Sequence, residues 1–442
     1  MNHHLRIACA ALLCSTVLTT VVSAEDWPQW MGPNRDGHWP AKQIVDSLPK
    51  ELKPQWRVAV AGGYSGPAVA LGKVFVTDFL PEAGDLANDP NRRSAAKGKE
   101  RVHCFNAADG RLLWTHAYDC VYNVSYPAGP RATPTVADGK VYTLGSEGHL
   151  HCLDAESGQV VWMKDLRAEY KTETPLWGFC GAPLVDGPRL ICLVGGKGSV
   201  VVAFNKNTGE ELWRALTASE PGYAPPSIIT AGGKRQLLNW HAEAINSLVP
   251  ETGEVYWSEP LRPNAGMAIA SPRQAGDFLF ASGIGNAAAM FKLDREKPAV
   301  EIIWRGKPTT AVYSANCTPI IDNGIIYGAD CQVGCLRAVQ LEDGKRLWET
   351  FQSTTGGDRR MSHGNAFLVK NEDRYFLFSE TGDLIIARLS PERYEELSRA
   401  RLLEPTGEAF GRRVAWSHPA FANRSVYARN DKELVCVFLG KE

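Results

Sequence analysis

The sequence predicts an all-β chain, an eight-bladed β-propeller of four-stranded antiparallel blades. Three observations carry that expectation. First, a Gly-x-x-x-Trp signature recurs at Gly110/Trp114, Gly158/Trp162, Gly209/Trp213, Gly253/Trp257 and Gly344/Trp348. Second, short apolar strands bounded by Gly, Asn and Asp turns follow one another at a nearly constant period. Third, a lone strand near Trp56 has no hairpin ahead of it, while the last unit ends one strand short. Self-similarity at a fixed period is the mark of a repeat architecture, and tryptophans 44 to 51 residues apart suit a four-stranded blade.

Composition agrees. A chain of 442 residues is long for one compact core and ordinary for an assembly that grows by adding units. Hydrophobic residues make up 44% and charged residues 22%, which places it among globular and not disordered sequences. A formal net charge of −1, spread along the chain, gives no basic face for a nucleic acid. No basic amphipathic stretch suggests a helix lying on a membrane.

Residues 1–24 read as a secretory signal: Arg6, an apolar run from Ile7 to Val22, and a small-residue cleavage site at Val22-Ser23-Ala24. Lipid attachment at Cys14 is disfavoured by bulky Leu13 just before it. The expected mature protein is exported, periplasmic, monomeric and without a membrane span. Nine cysteines follow residue 24, an odd count that leaves at least one thiol unpaired. Cys331 and Cys335 flank a short Gln-Val-Gly turn and are the candidate disulfide; the alternative is a buried thiol at each.

In chain order, residues 25–52 form an aromatic, turn-rich extended segment that is expected to lie across the propeller. Residues 53–442 supply the blades. The units open near Tyr64, Arg131, Gly178, Gly222, Gly266, Ser314 and Ser362. They close on Trp114, Trp162, Trp213, Trp257, Trp304, Trp348 and, in the seventh, the Leu402-Leu403 pair. The fifth turn is degenerate around Pro298. An eighth unit opens at Trp416 and would be completed by the strand of Trp56, which ties the termini together and leaves no open edge. Residues 81–100 read as a long, charged surface loop. A second insertion spans residues 167–177.

The Asp/Asn-x-x-x-Gly-x-x-x-Trp pattern of Asn106–Trp114, Asp154–Trp162 and Asn205–Trp213 resembles the pyrroloquinoline-quinone-like repeat. The opening Trp-Pro-Gln-Trp-Met-Gly-Pro-Asn-Arg-Asp-Gly (residues 27–37) is similar to the leader of exported members of that group. The resemblance implies either a calcium- and quinone-dependent alcohol or sugar dehydrogenase or a non-catalytic propeller such as the accessory protein of outer-membrane β-barrel assembly. The dehydrogenases cap the quinone with a disulfide between adjacent cysteines, and no Cys-Cys pair exists here. Gly283-Ile284-Gly285-Asn286 matches the calcium-ligand context only superficially, because Ala287-Ala288-Ala289-Met290 follows where an aromatic is wanted. No cofactor is therefore expected, with pyrroloquinoline quinone and calcium as the disfavoured alternative.

Function should lie where the blades differ. Residues just ahead of each innermost strand crowd one mouth of the channel, and ligands bind at such mouths. By repeat alignment these are Tyr64-Ser65, Arg131, Phe179-Cys180, Tyr223, Met267, Asn316-Cys317, Ser362-His363 and Ser417-His418, with Trp177, Arg359, Arg360 and Trp416 on loops feeding the same mouth. Arg131, Arg359 and Arg360 together suit a carboxylate or phosphate. His363 and His418 suit an acid–base pair or two metal ligands, though two do not make a metal site. Asp85, Asp89 and Asn91 lack the spacing of a calcium loop. The expectation is an exported, non-catalytic binding or assembly module with a protein or carbohydrate partner. A quinone-dependent oxidoreductase with a divergent site is the alternative, and a carbohydrate- or polyanion-binding propeller the third reading.

Overall fold

The computed structural model describes residues 26–357 and 359–441; the expected signal peptide lies outside them. Eight four-stranded antiparallel sheets form the ring. Blade one comprises Ala68–Ala70, Lys73–Gly84, Ser94–Asn106 and Leu112–Val124. Blade two comprises Thr135–Ala137, Lys140–Leu144, His149–Asp154 and Val160–Asp165, and blades three to seven repeat the pattern through Arg401. Blade eight takes Ala420–Ala422, Ser425–Arg429 and Glu433–Phe438 from the C-terminal end and Pro54–Ala59 from the N-terminal end. That strand runs antiparallel to its neighbour, with Trp56 facing Cys436.

Adjacent blades are joined by one recurring contact. Each turn glycine has positive φ, +72° at Gly110 and +71° at Gly158, a region where a side chain is strained. Space is forbidden there as well: a Cβ on Gly158 would sit 2.6 Å from the Trp114 ring, and one on Gly110 would sit 2.8 Å from Trp56. At five of the eight junctions the tryptophan of one blade thus lies on the turn glycine of the next. Its indole N–H donates to a carbonyl of that same turn, Trp56 to Ala107 at 3.0 Å, Trp114 to Ala155 at 3.2 Å and Trp162 to Lys206 at 3.0 Å. Beside every such tryptophan the ladder carries a bulge, for instance between Cys104 and Phe105, which re-aims the strand's side chains.

Two irregular blades show what the contact requires. The degenerate fifth turn offers Trp257 no carbonyl, and its N–H turns back to Gln236 Oε1 of its own blade at 3.0 Å. In blade seven, register places Ser398 opposite Ile386, the position of Trp348 opposite Ala338 in blade six. Leu402 and Leu403, expected there, lie beyond the strand, because it carries the bulge at Ile386/Ala387 and ends at Arg401. The N-terminal segment fills the gap instead. Ser398 Oγ accepts the Leu48 N–H at 2.8 Å, and Trp39, Ile44 and Leu48 join the core that blades seven and eight share.

One expectation is corrected, and two open points are answered. Residues 81–100 are mostly a tall hairpin and not a surface loop, with pairing that reaches Gly84↔Ala96 and Ser94↔Val124. Lysines and Glu100 mask an alternation in which Ala96 and Glu100 point inward, and Phe79 stacks on Tyr122 at 4.1 Å. Second, Cys331 and Cys335 are free and buried, as are most of the described cysteines, all of them unpaired. Register pairs Cys335 with Asp330 and leaves Cys331 in the turn, so the two thiols do not face each other. Third, the insertion after blade two opens with a short helix, Leu166–Tyr170, capped by the Asp165 side chain. Gly283–Asn286 is a hairpin turn between the strands Phe278–Gly283 and Ala287–Leu293.

Replacing Gly158 by Ala is expected to lower unfolding free energy by roughly 1–3 kcal/mol through crowding alone. Trp56→Ala should cost about 3–5 kcal/mol, because it removes a large buried ring at the closure of the blades. Denaturant titration checks both, and the Trp56 variant should suffer more.

Candidate functional site

The eight positions ahead of the innermost strands converge as the repeat alignment expects. A cavity of about 410 Å³ opens at this mouth, and Tyr64, Arg131, Cys180, Tyr223, Met267, Asn316, His363 and His418, one from each blade, all line it, whereas their chain neighbours Ser65, Phe179, Cys317, Ser362 and Ser417 do not. Trp177 and Trp416 line it as well. Arg359 and Arg360 do not; both are exposed on the loop ahead of blade seven. The three-arginine anion site is therefore reduced to Arg131, because the loop carries the other two outward.

The floor is a residue that repeat alignment could not supply. Residues 27–39 cross the channel beneath the mouth, touching inner strands in turn. Trp27 bridges Val69 of blade one, the Pro28 carbonyl accepts the Val136 N–H of blade two, and Trp39 and Gly37 exchange bonds with Lys370 of blade seven. Arg35, 4% exposed, donates to the carbonyls of Ala182, Pro183 and Pro226, while Arg273 grips the carbonyls of Arg35 and Asp36. This clamp presents Trp30 to the cavity, where its indole N–H donates to His418 Nε2 at 3.4 Å. Phe410 was also missed. It sits at the tip of a two-residue hairpin between Gly407–Ala409 and Arg412–Val414, with positive φ at both Phe410 and Gly411, and stacks on His363 at 5.0 Å and 3°. The Phe-Gly pair between short alternating runs was the available signal. Pro90, Asn91 and Tyr126, from or beside the blade-one insertion, complete one wall.

Arg131 spends its forks on the protein. It donates to the carbonyls of Gly129, Ser125 and Tyr126 and to Ser146 Oγ, and lies 5.3 Å over the Tyr64 ring. No carboxylate pairs with it among the described residues, so its charge is held by dipoles at the cavity wall. The hydroxyls of Tyr64 and Tyr126 and Nδ2 of Asn316 have no hydrogen-bond partner. Trp177 meets Tyr223 edge-on at 5.6 Å, and Trp416 donates to Glu380 at 3.0 Å behind the wall. Burial pushes the Cys180 thiol up to about 12, so it stays protonated.

Seven Phe, Tyr and Trp rings line the cup, and among its described lining residues there is no Asp or Glu. Calcium needs oxygen ligands with carboxylates among them, and a dehydrogenase of the quinone type needs a carboxylate base. The donor set does not fit a calcium-bound quinone. His363 and His418 do not form a metal pair either: one stacks on Phe410, the other accepts from Trp30, and among the described residues neither joins a group of three potential ligands.

Fold and cup together define an eight-bladed propeller with an aromatic chamber at one channel mouth. The chain belongs to the pyrroloquinoline-quinone-like propeller family: residues 98–350 match the PQQ_2 model, described as outer membrane protein assembly factor BamB. It is 24% identical over 259 residues to the assembly factor BamB of Shewanella oneidensis, covering 56% of this chain and 63% of that protein. It is 32% identical over 224 residues to quinohemoprotein alcohol dehydrogenase ADH-IIG of Pseudomonas putida, 47% of this chain and 28% of that enzyme. In both cases under two thirds of the relative's length is spanned. Among solved structures, the quinohemoprotein alcohol dehydrogenase of Comamonas testosteroni superposes with a TM-score of 0.62 at 14% identity, covering 95% of this chain and 81% of that one. BamB of Moraxella catarrhalis gives 0.52 at 15% identity, covering 81% of this chain and all of that one. These likenesses show the fold. No helix among the described residues is long and apolar enough to cross a membrane.

The cup histidines give a pH signature. Withdrawal from water pushes His418 down to about 3, and the same cause with the Arg412 charge pushes His363 down to about 4. Unfolded, both titrate near 6.5. As pH falls below about 6.5 the unfolded state takes up protons first, so stability is flat above that value and falls between about pH 6.5 and about pH 4. His418→Gln should show a shallower fall in melting temperature across that window. His151, pushed down to about 3 by burial, keeps part of the slope in place.

Proposed function

We propose that the protein is an exported, non-catalytic binding propeller that receives an acidic carbohydrate, or a ring of similar chemistry, in the aromatic cup. The observation that carries this reading is the composition of the cup, with aromatic walls, the unpaired charge of Arg131 and no carboxylate. Flat aromatic faces pack against the apolar faces of a sugar ring. The Arg131 charge at the cavity wall favours an acidic ring. A volume of about 410 Å³ lies within the range of small-ligand sites. The signal-like residues 1–24 support export.

Kinship to outer-membrane assembly factors favours a second reading, in which the propeller docks another protein. One feature supports it: the outer strand of blade two exposes Val160, Val161 and Met163 at 43%, 46% and 55%. An open strand edge with apolar side chains is a place for a partner segment to add.

Titration with oligogalacturonate, followed by tryptophan fluorescence, tests the first reading. Saturable quenching is expected, lost in Arg131→Met and weakened in Trp177→Ala. Pyrroloquinoline quinone with calcium should give neither saturable binding nor alcohol- or sugar-dependent dye reduction. Dye reduction with saturable quinone binding would overturn the non-catalytic reading.

A further inference from the structure

A second cluster of reactive side chains lies away from the cup, between the outer strand of blade one and the third strand of blade two. We propose that Glu100, Cys120 and His149 form a binding site for a transition-metal ion of the zinc type. Ligand atoms of all three lie within 4.8 Å of one another, and Cys120 Sγ is 3.9 Å from His149 Nδ1. Sulfur and nitrogen bound to one tetrahedral zinc stand about 3.5 Å apart, so a small side-chain rotation suffices.

Three features independent of that spacing point to a cation. Glu100 is 1% exposed, yet no ion pair reaches it among the described residues. Its partners are the Tyr118 hydroxyl, the Tyr122 hydroxyl at 2.5 Å and the Ser146 N–H at 2.9 Å. A carboxylate shielded from water without a countercharge is costly, and a metal ion supplies one. Next, the carboxylate has room to bind. Oε1 accepts two donors, but Oε2 accepts only Tyr118 and keeps a lone pair. Finally, the surroundings are rich in imidazole with unspent nitrogens. His151 Nδ1, on a residue 2% exposed, and His116 Nε2 have no hydrogen-bond partner. Both rings pack by Tyr118, which is 4.4 Å from His151 and 5.9 Å from His116, and 5.3 Å from the ligand His149.

Strand alternation explains the convergence. His116, Tyr118 and Cys120 project from one face of blade one's outer strand, and His149 and His151 from one face of the strand opposite. Sulfur, nitrogen and oxygen donors together select a borderline-soft ion such as Zn²⁺ and disfavour Ca²⁺ and Mg²⁺, which take oxygen. Binding forms the metal–sulfur bond as the thiol proton leaves to solvent. Three protein ligands leave a fourth position open beside half-buried His149.

Cobalt(II) titration of the full-length protein tests the site. One equivalent should produce a thiolate-to-cobalt charge-transfer band in the near ultraviolet with strong tetrahedral d–d bands, both removed by stoichiometric Zn²⁺. Cys120→Ser should abolish the charge-transfer band, and His149→Gln, at a half-buried position that tolerates change, should weaken affinity by about tenfold or more. Cys180→Ser, in the cup, should leave the spectrum as it is. Absence of the band at one equivalent in the unmodified protein, or its survival in Cys120→Ser, overturns the assignment. Zn²⁺ should also raise the melting temperature of the unmodified protein and not that of Cys120→Ser.

Discussion

The structure depends on one contact made again and again: a tryptophan laid flat on the turn glycine of the next blade. Glycine is demanded twice over, by positive φ and by a ring that lies 2.5 Å from a Cβ at Gly253 and 3.2 Å from one at Gly344, the two extremes. The indole N–H then satisfies a turn carbonyl, so such a junction buries a large apolar surface and leaves the indole donor paired. Because the contact always reaches forward, the last blade needs a tryptophan that the C-terminal end does not carry. Trp56 supplies it from the N-terminal end, where it meets Gly110 and Ala107 of blade one and closes the ring. Arg429 reinforces the closure, donating from blade eight to the Thr77 and Ala61 carbonyls.

Most of this architecture was legible because period and turn chemistry are local. Strand count, the antiparallel order and the completing strand follow from glycine, asparagine and tryptophan spacing. What escaped was whatever depends on distant partners. Ser398 has nothing in its own sequence to mark it as the seventh blade's equivalent of a tryptophan; a bulge sets its register, and Leu48, 350 residues away, supplies its partner. The tall hairpin of blade one was hidden because its inward positions are Ala, Gly, Ser and a buried glutamate. For the cup, the eight repeat-equivalent positions and two loop tryptophans were readable by alignment. Arg359 and Arg360 were not excluded by it, since loop direction has no periodicity. Trp30 lies in a segment without repeats, and only its path across the channel makes it a floor.

The N-terminal segment links stability to recognition. Residues 27–56 are clamped by Arg35 and Arg273, seal the junction left by Ser398, and finish as the closing strand. Whatever enters the cup rests on Trp30 and therefore on that same segment. The repeat itself, despite the cofactor in its name, specifies architecture. Chemistry gathers where blades differ: in the carboxylate-free cup, and in the buried carboxylate, thiol and imidazoles between blades one and two.

Fluorine NMR of the protein labelled with 5-fluorotryptophan tests that division most directly, with single Trp→Phe variants to assign the signals. Oligogalacturonate should shift the resonances of Trp30, Trp177 and Trp416 and leave those of Trp114, Trp162, Trp213 and Trp304 unmoved. Shifts confined to the repeat tryptophans would place recognition on the blades themselves and contradict the account.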